Sequence, residues 1–180
     1  MALLGQLPEP QVKPVFIVVS GLPGTGKSYF SKKLAERLPV VIIESDALRK
    51  TLFGSPSYSR EESAYLFRTS HKLIVNLLER GISVVLDATN LLERFRERLY
   101  QIADSLESKL ILIRTEASPS IVKERLESRA GNMANNSDAD WAIYQKMKSS
   151  TEKMTRNHYV IDTSKDIKSA IDKIVREFYR

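Results

Sequence analysis

The chain of 180 residues contains no cysteine, which excludes disulfides, thiolate metal centres and a cysteine nucleophile, and lends no support to an oxidising compartment. Histidine is almost as scarce. His71 and His158 are the only two, neither has metal-ligand spacing, and both read as structural. No apolar run approaches the length needed to span a bilayer. Met1 to Pro14 lacks both the basic start and the long apolar stretch of a signal peptide. A soluble, cytoplasmic protein without a membrane partner is therefore expected. The sequence also has no internal repeat.

What is present suits one α/β domain with a core around a central sheet: 42% of residues are apolar and 28% charged. Lysine and arginine exceed aspartate and glutamate, 28 to 22, a net charge of +6. The excess is spread along the chain, with Lys27, Lys32, Lys33 and Arg37 early and Lys146, Lys148, Lys153 and Arg156 late. Solvated helix faces account for most of it. The balance also accommodates a polyanionic partner, nucleic acid among them.

The most informative stretch is Gly21-Leu22-Pro23-Gly24-Thr25-Gly26-Lys27-Ser28, which fits the phosphate-binding pattern G-x-x-x-x-G-K-[ST]. It follows the apolar run Val15 to Ser20, read as a buried strand, and precedes a helix expected over Tyr29 to Leu38. Glycines let successive backbone N–H groups turn around an anion, and a helix N-terminus adds about half a positive charge. Gly21, Pro23, Gly24, Thr25, Gly26, Lys27, Ser28 and Tyr29 are the expected nucleotide contacts. Lys27 would reach the β and γ phosphates of ATP, and the Ser28 hydroxyl would serve Mg²⁺.

Further along, Val40 to Glu44 reads as a second strand, followed by Ser45-Asp46 as caps of a short helix, Ala47 to Phe53. Ser59 and Glu62 make a capping box for a helix to about Arg80, stopped by Gly81. Ile82 to Asp87 is the third strand, Leu92 to Leu106 a helix, and Lys109 to Thr115 the fourth strand. Ser118-Pro119 opens a helix to about Ala130. Helix resumes over Ala139 to Asn157, Tyr159 to Asp162 is the last strand, and an amphipathic helix over Ile167 to Tyr179 follows. Residues 1–14 read as a mobile arm or edge extension, and 15–180 as a single domain with a lid at about 125–140. Apolar strands alternating with helices imply a parallel sheet covered on both faces, with ligands at the carboxyl ends of the strands. Ser20, Asp46, Asp87 and Thr115 all fall on that edge.

Several side chains there suit phosphoryl transfer. Asp46 could accept a proton from an attacking hydroxyl while Arg49, three residues on, steadies phosphate or acceptor; a plain helix cap is the alternative. Asp87 resembles a Walker B acid that holds Mg²⁺, against a strand-end carboxylate capping local N–H groups. No glutamate follows it, unlike a motor ATPase, and no N-K-x-D guanine motif occurs. Arg125 and Arg129 share a helix face leading into the polar 131–138 segment. They are expected to close on ATP, or else to pair with Glu124 or Glu127. Tyr58, Tyr65 and Tyr100 are candidates for a substrate pocket, whereas Trp141, Met147 and Met154 read as packing.

The loop GLPGTGKS, Asp46-Ala47-Leu48-Arg49, Leu86-Asp87-Ala88-Thr89-Asn90 and Arg125 to Gly131 together resemble the P-loop kinases around the phage polynucleotide 5′-kinases, with zeta-toxin-like and small bacterial kinases as more distant relatives. The resemblance spans about residues 15 to 155. It implies a P-loop NTPase three-layer sandwich with a five-stranded parallel sheet in the order 2-3-1-4-5 and a small helical lid. It also implies Asp46 as the base, Arg49 near the acceptor phosphate and Arg129 on the ATP phosphates. The expected activity is ATP- and Mg²⁺-dependent phosphorylation of a hydroxyl, on a polynucleotide 5′ end or a small alcohol. A nucleotide-hydrolysing switch is the alternative. Phe53 to Tyr65 matches no acceptor motif.

Overall fold

Val15–Ser20 forms strand β1, and all six of its residues are buried, as required of a strand covered on both faces. A computed structural model of the chain describes residues 7–129 and 139–180. With β2 (Val40–Glu44), β3 (Ser83–Asp87), β4 (Lys109–Glu116) and β5 (Tyr159–Asp162), β1 builds one sheet in the order β2-β3-β1-β4-β5. Every pairing is parallel. The expected order is therefore the observed one.

Successive β1 side chains alternate between two cores. Val15, Ile17 and Val19 pack with Phe30 and Leu34 of α1 (Lys27–Ala35) and with Ile171, Ile174 and Phe178 of α7 (Lys168–Tyr179). Phe16 and Val18 pack the opposite way, against Ile74 and Leu77 of α3 (Arg60–Glu79) and Leu99 and Tyr100 of α4 (Glu93–Ser105). Each fully buried large side chain contributes roughly 1.5–3 kcal/mol. A smaller cluster, Val122, Leu126 and Tyr144, joins α5 (Pro119–Arg129) to α6 (Trp141–Ser149) beside Leu22. The segment before β1 is an attached extension: Gln11 N–H donates to Gly81 O at 2.7 Å, and Ser83 Oγ to Gln11 Oε1 at 3.0 Å.

Several boundaries shift for identifiable reasons. Helix α1 starts at Lys27 because Gly26, left-handed at φ 83°, is its cap. Helix α2 runs Ser45–Phe53 with extended Glu44 as its cap, so Asp46 lies in the first turn and is not the cap residue. Helix α6 ends at Ser149, where Asn157 was expected. The chain then runs without helix past Met154, which is buried in the α3/α4-side core. The capping box is half formed: Ser59 Oγ accepts from Glu62 N–H at 3.1 Å, but the Glu62 carboxylate goes elsewhere. Tyr100 is fully buried with Arg156 over its ring, so it lines no substrate pocket. The expected lid falls partly outside the described residues, which include its Arg125 to Arg129 portion and Ala139 to Asp140.

Candidate active site

Between β1 and α1 the phosphate loop is clamped from two neighbouring strands. Thr25 Oγ1 donates to Leu22 O at 2.7 Å and lies 2.9 Å from Thr115 Oγ1 on β4. Thr163, just past β5, donates from Oγ1 to Thr25 O at 2.9 Å. Gly21 N–H donates to Thr89 O at 3.2 Å. The fit leaves no room for side chains: a Cβ on Gly21 would stand 2.5 Å from Thr115 Oγ1, and one on Gly24, at φ +78°, 2.8 Å from Val122 Cγ1. Such a loop is preorganised for an anion before one arrives.

The loop opens on a recess of about 40 Å³, lined by Gly24, Gly26, Lys27 and Ser28 together with Asp46, Asp87 and Arg129. The sheet explains the convergence: β1, β2 and β3 end at one level, with Val19 in register with Asp87 and Asp87 with Glu44. Lys27 Nζ donates to Leu22 O at 3.2 Å. Burial lowers the pKa of its ammonium, Asp87 and then Asp46 draw it back up, and Arg129 lowers it again. Asp87 is 3% exposed, and its Oδ2 has no hydrogen-bond partner among the described residues. Burial raises the pKa of its carboxyl, opposed by Lys27 and by a hydrogen bond from Ser28. Asp87 and Ser28 thus present adjacent oxygens to the recess.

The two lid arginines separate in role. Arg129, the last residue of α5, reaches the recess. Arg125 is spent on the loop's support instead: Nη1 donates to Thr163 Oγ1 and Nη2 to Thr163 O, both at 2.8 Å, with Gly24 O at 3.4 Å from Nη1. Of its neighbouring glutamates, Glu127 pairs with Lys123. Tyr29 is 55% exposed on α1 and does not line the recess.

Arg49 turns toward α3. It is buried, ion-paired through Nη1 with Glu62, within 3.3 Å of Ser63 Oγ through Nη2, and 4.9 Å from the Tyr58 ring centre. Glu62 also accepts from Ser57 N–H at 2.6 Å and Ser57 Oγ at 2.7 Å. Burial pushes the Glu62 carboxyl upward, but its bonds from Ser57 and Arg49 prevail and hold it at about 2, against an ordinary 4.5. A carboxyl depressed by folding adds stability that is complete above 4.5 and is lost as pH falls toward 2. Urea midpoints of the native chain and Glu62→Gln should therefore differ most at neutral pH and converge across that window; a gap independent of pH would refute the linkage.

Sequence reasoning missed Glu62 as Arg49's partner, because Glu62 carried a sufficient local role as a cap. It also missed Thr163 and buried Arg96. Arg96 donates to Asn90 O at 2.8 Å and to the carbonyls of Glu152 and Lys153 at 3.1 and 3.0 Å.

The AAA_33 family, described as an AAA domain, matches residues 16–154, and the chain belongs to it. The fold is that of the P-loop kinases. The chain is 28% identical over 126 residues to the L-seryl-tRNA(Sec) kinase of Methanococcus maripaludis, an alignment covering 67% of this chain and 48% of that protein. It thus spans about half the length of that relative. It is 32% identical over 147 residues to a thymidylate kinase of Leptospira interrogans, covering 65% of this chain and 71% of that one. A crystal structure from Chloroflexus aurantiacus superposes with a TM-score of 0.76 at 21% identity, over 93% of this chain and 97% of that chain. None of the described helices is long and apolar enough to cross a membrane.

Proposed function

We propose that the chain transfers the γ-phosphoryl group of ATP to an acceptor hydroxyl. One observation carries this reading: an anion-binding loop, a lysine and an arginine share a small recess with a carboxylate at the start of the helix after β2. A hydrolytic switch has no need of that carboxylate.

Among the described residues, no group of three or more acidic or histidine side chains could hold a metal ion. Mg²⁺ commonly needs only one or two protein oxygens besides phosphates and water. The Ser28 hydroxyl and the unpartnered Asp87 Oδ2 fit that demand. They would hold the ion, which when bound neutralises charge on the phosphates.

The chain's own residues do the rest. Loop N–H groups and the α1 N-terminus fix the phosphates, and Lys27 with Arg129 offsets charge building on the transferring group. Asp46 takes the hydroxyl proton as the new O–P bond forms and ADP departs. Arg125 would bind nucleotide indirectly, by setting Thr163 and Gly24. Tyr29, on the exposed side of α1, is proposed only to flank the nucleotide. Arg49 is the proposed cation on the acceptor side.

The acceptor is a polynucleotide 5′-hydroxyl or a small alcohol. Incubation with γ-labelled ATP, Mg²⁺ and two acceptor pools, 5′-hydroxyl oligonucleotides and a panel of nucleosides, sugars and amino sugars, tests the proposal. Label on either pool supports it and names the class. Label only in free phosphate, at a rate no acceptor changes, overturns it in favour of the switch.

A further inference from the structure

A second cavity, of about 240 Å³, lies beside the phosphate loop. Among the described residues it shares only Thr89 with the walls of the phosphate recess. Three of its lining residues each carry a buried polar atom without a hydrogen-bond partner among the described residues: Ser20 Oγ, Asn90 Nδ2 and Arg114 Nε. Ser20 and Asn90 are 2% and 7% exposed. Buried polar groups are almost always paired, so three orphans in one cavity mark a place where something else supplies the partners.

All three can donate: a hydroxyl, an amide and a guanidinium N–H. The complementary group is an acceptor without donors of its own, and a carboxylate also answers the charge of Lys148, which lines the same cavity. The cavity's own carboxylates are already engaged. Glu116 pairs with Arg114 Nη2 at 3.2 Å, and Glu152 Oε2 accepts from Glu93 N–H at 2.6 Å. Leu91, Tyr144 and Met154 supply an apolar wall. The volume falls just below the roughly 300–1,000 Å³ that drug-sized ligands occupy, which sets the ligand at the size of a small organic acid. Asn90 is preset for it, since buried Arg96 grips its carbonyl at 2.8 Å while its backbone is left-handed at φ 46°.

We propose that this cavity is a second binding site, for a small carboxylate with an apolar body. The carboxylate sits on Ser20, Asn90 and Arg114, and the body lies against Leu91, Tyr144 and Met154. The site is independent of the phosphoryl-transfer reading and stands whether or not that reading holds.

The test is a ¹H–¹⁵N titration of the whole chain with benzoate and with 4-methylpentanoate, in the presence of ADP and Mg²⁺. Saturable shifts of the Gly21 amide and the Asn90 side-chain amide are expected with at least one acid. Ser20→Ala and Arg114→Met should each weaken binding by about tenfold, the scale of one charge-assisted hydrogen bond. Ser20→Ala removes a single unpaired oxygen and so serves as the variant whose folding is least disturbed. Benzyl alcohol, lacking the charge, should bind at least about tenfold more weakly. Failure of both acids to saturate, displacement of the acid by ADP, equal binding of the alcohol, or unchanged affinity in both variants each overturns the site.

Discussion

Replacing Asp46 with asparagine should cut phosphoryl transfer by about 10²–10⁴-fold while leaving the dissociation constant of ATP nearly unchanged. The substitution keeps the shape of a side chain in the first turn of α2, at the wall of the recess. It removes only the ability to take a proton. The loop contacts, Lys27 and the Ser28–Asp87 oxygens remain as they were, so the nucleotide still has its cradle. Lys27 loses one neighbour that raises its pKa, but Asp87, the stronger of the two, stays. The decisive comparison sets single-turnover transfer to whichever acceptor is labelled against ATP affinity measured separately. Near-native transfer by Asp46→Asn removes Asp46 as the base. A parallel loss of affinity would instead assign it to holding the phosphates.

Much of this is legible in the sequence. The parallel sheet could be read because β1, β3 and β4 are nearly continuous apolar runs, and only a sheet covered on both faces buries such runs. The phosphate loop was legible because its function depends on backbone geometry that few residues permit. What escaped were contacts whose partners lie far apart in sequence. The bond from Thr163 to Thr25 spans 138 positions and that from Thr115 to Thr25 spans 90, and a lone threonine announces neither. Arg49 shows a second kind of contact that escaped. Its spacing from Asp46 placed it correctly on α2, yet its guanidinium follows Glu62, a residue with a sufficient local explanation as a helix cap. The end of α6 differs for a third reason: helix was expected to Asn157, whereas it stops at Ser149 and Met154 reaches the core from a non-helical segment.

Lys27→Ala should behave differently from Asp46→Asn, losing affinity and transfer together, with transfer reduced by about 10²–10³-fold beyond the change in affinity. Lys27 is placed by the first turn of α1 directly after the glycine cap, so no neighbouring lysine can take over its position. Its ammonium donates to Leu22 O at 3.2 Å, a hydrogen bond that is readily exchanged for phosphate oxygens. Its removal also changes the field of the recess. Asp87, Asp46 and Glu44 all interact with that ammonium, and without it three carboxylates face an incoming triphosphate, with Arg129 the remaining cation among the described lining residues. The penalty should therefore grow with phosphate charge: calorimetric titration should show a larger loss for ATP than for ADP, and a larger loss for ADP than for AMP. Equal losses for all three would mean that Lys27 holds the loop's shape and not the β and γ phosphates. In that case the charge-offsetting role would pass to Arg129, and Arg129→Ala would have to show the graded loss that Lys27→Ala did not.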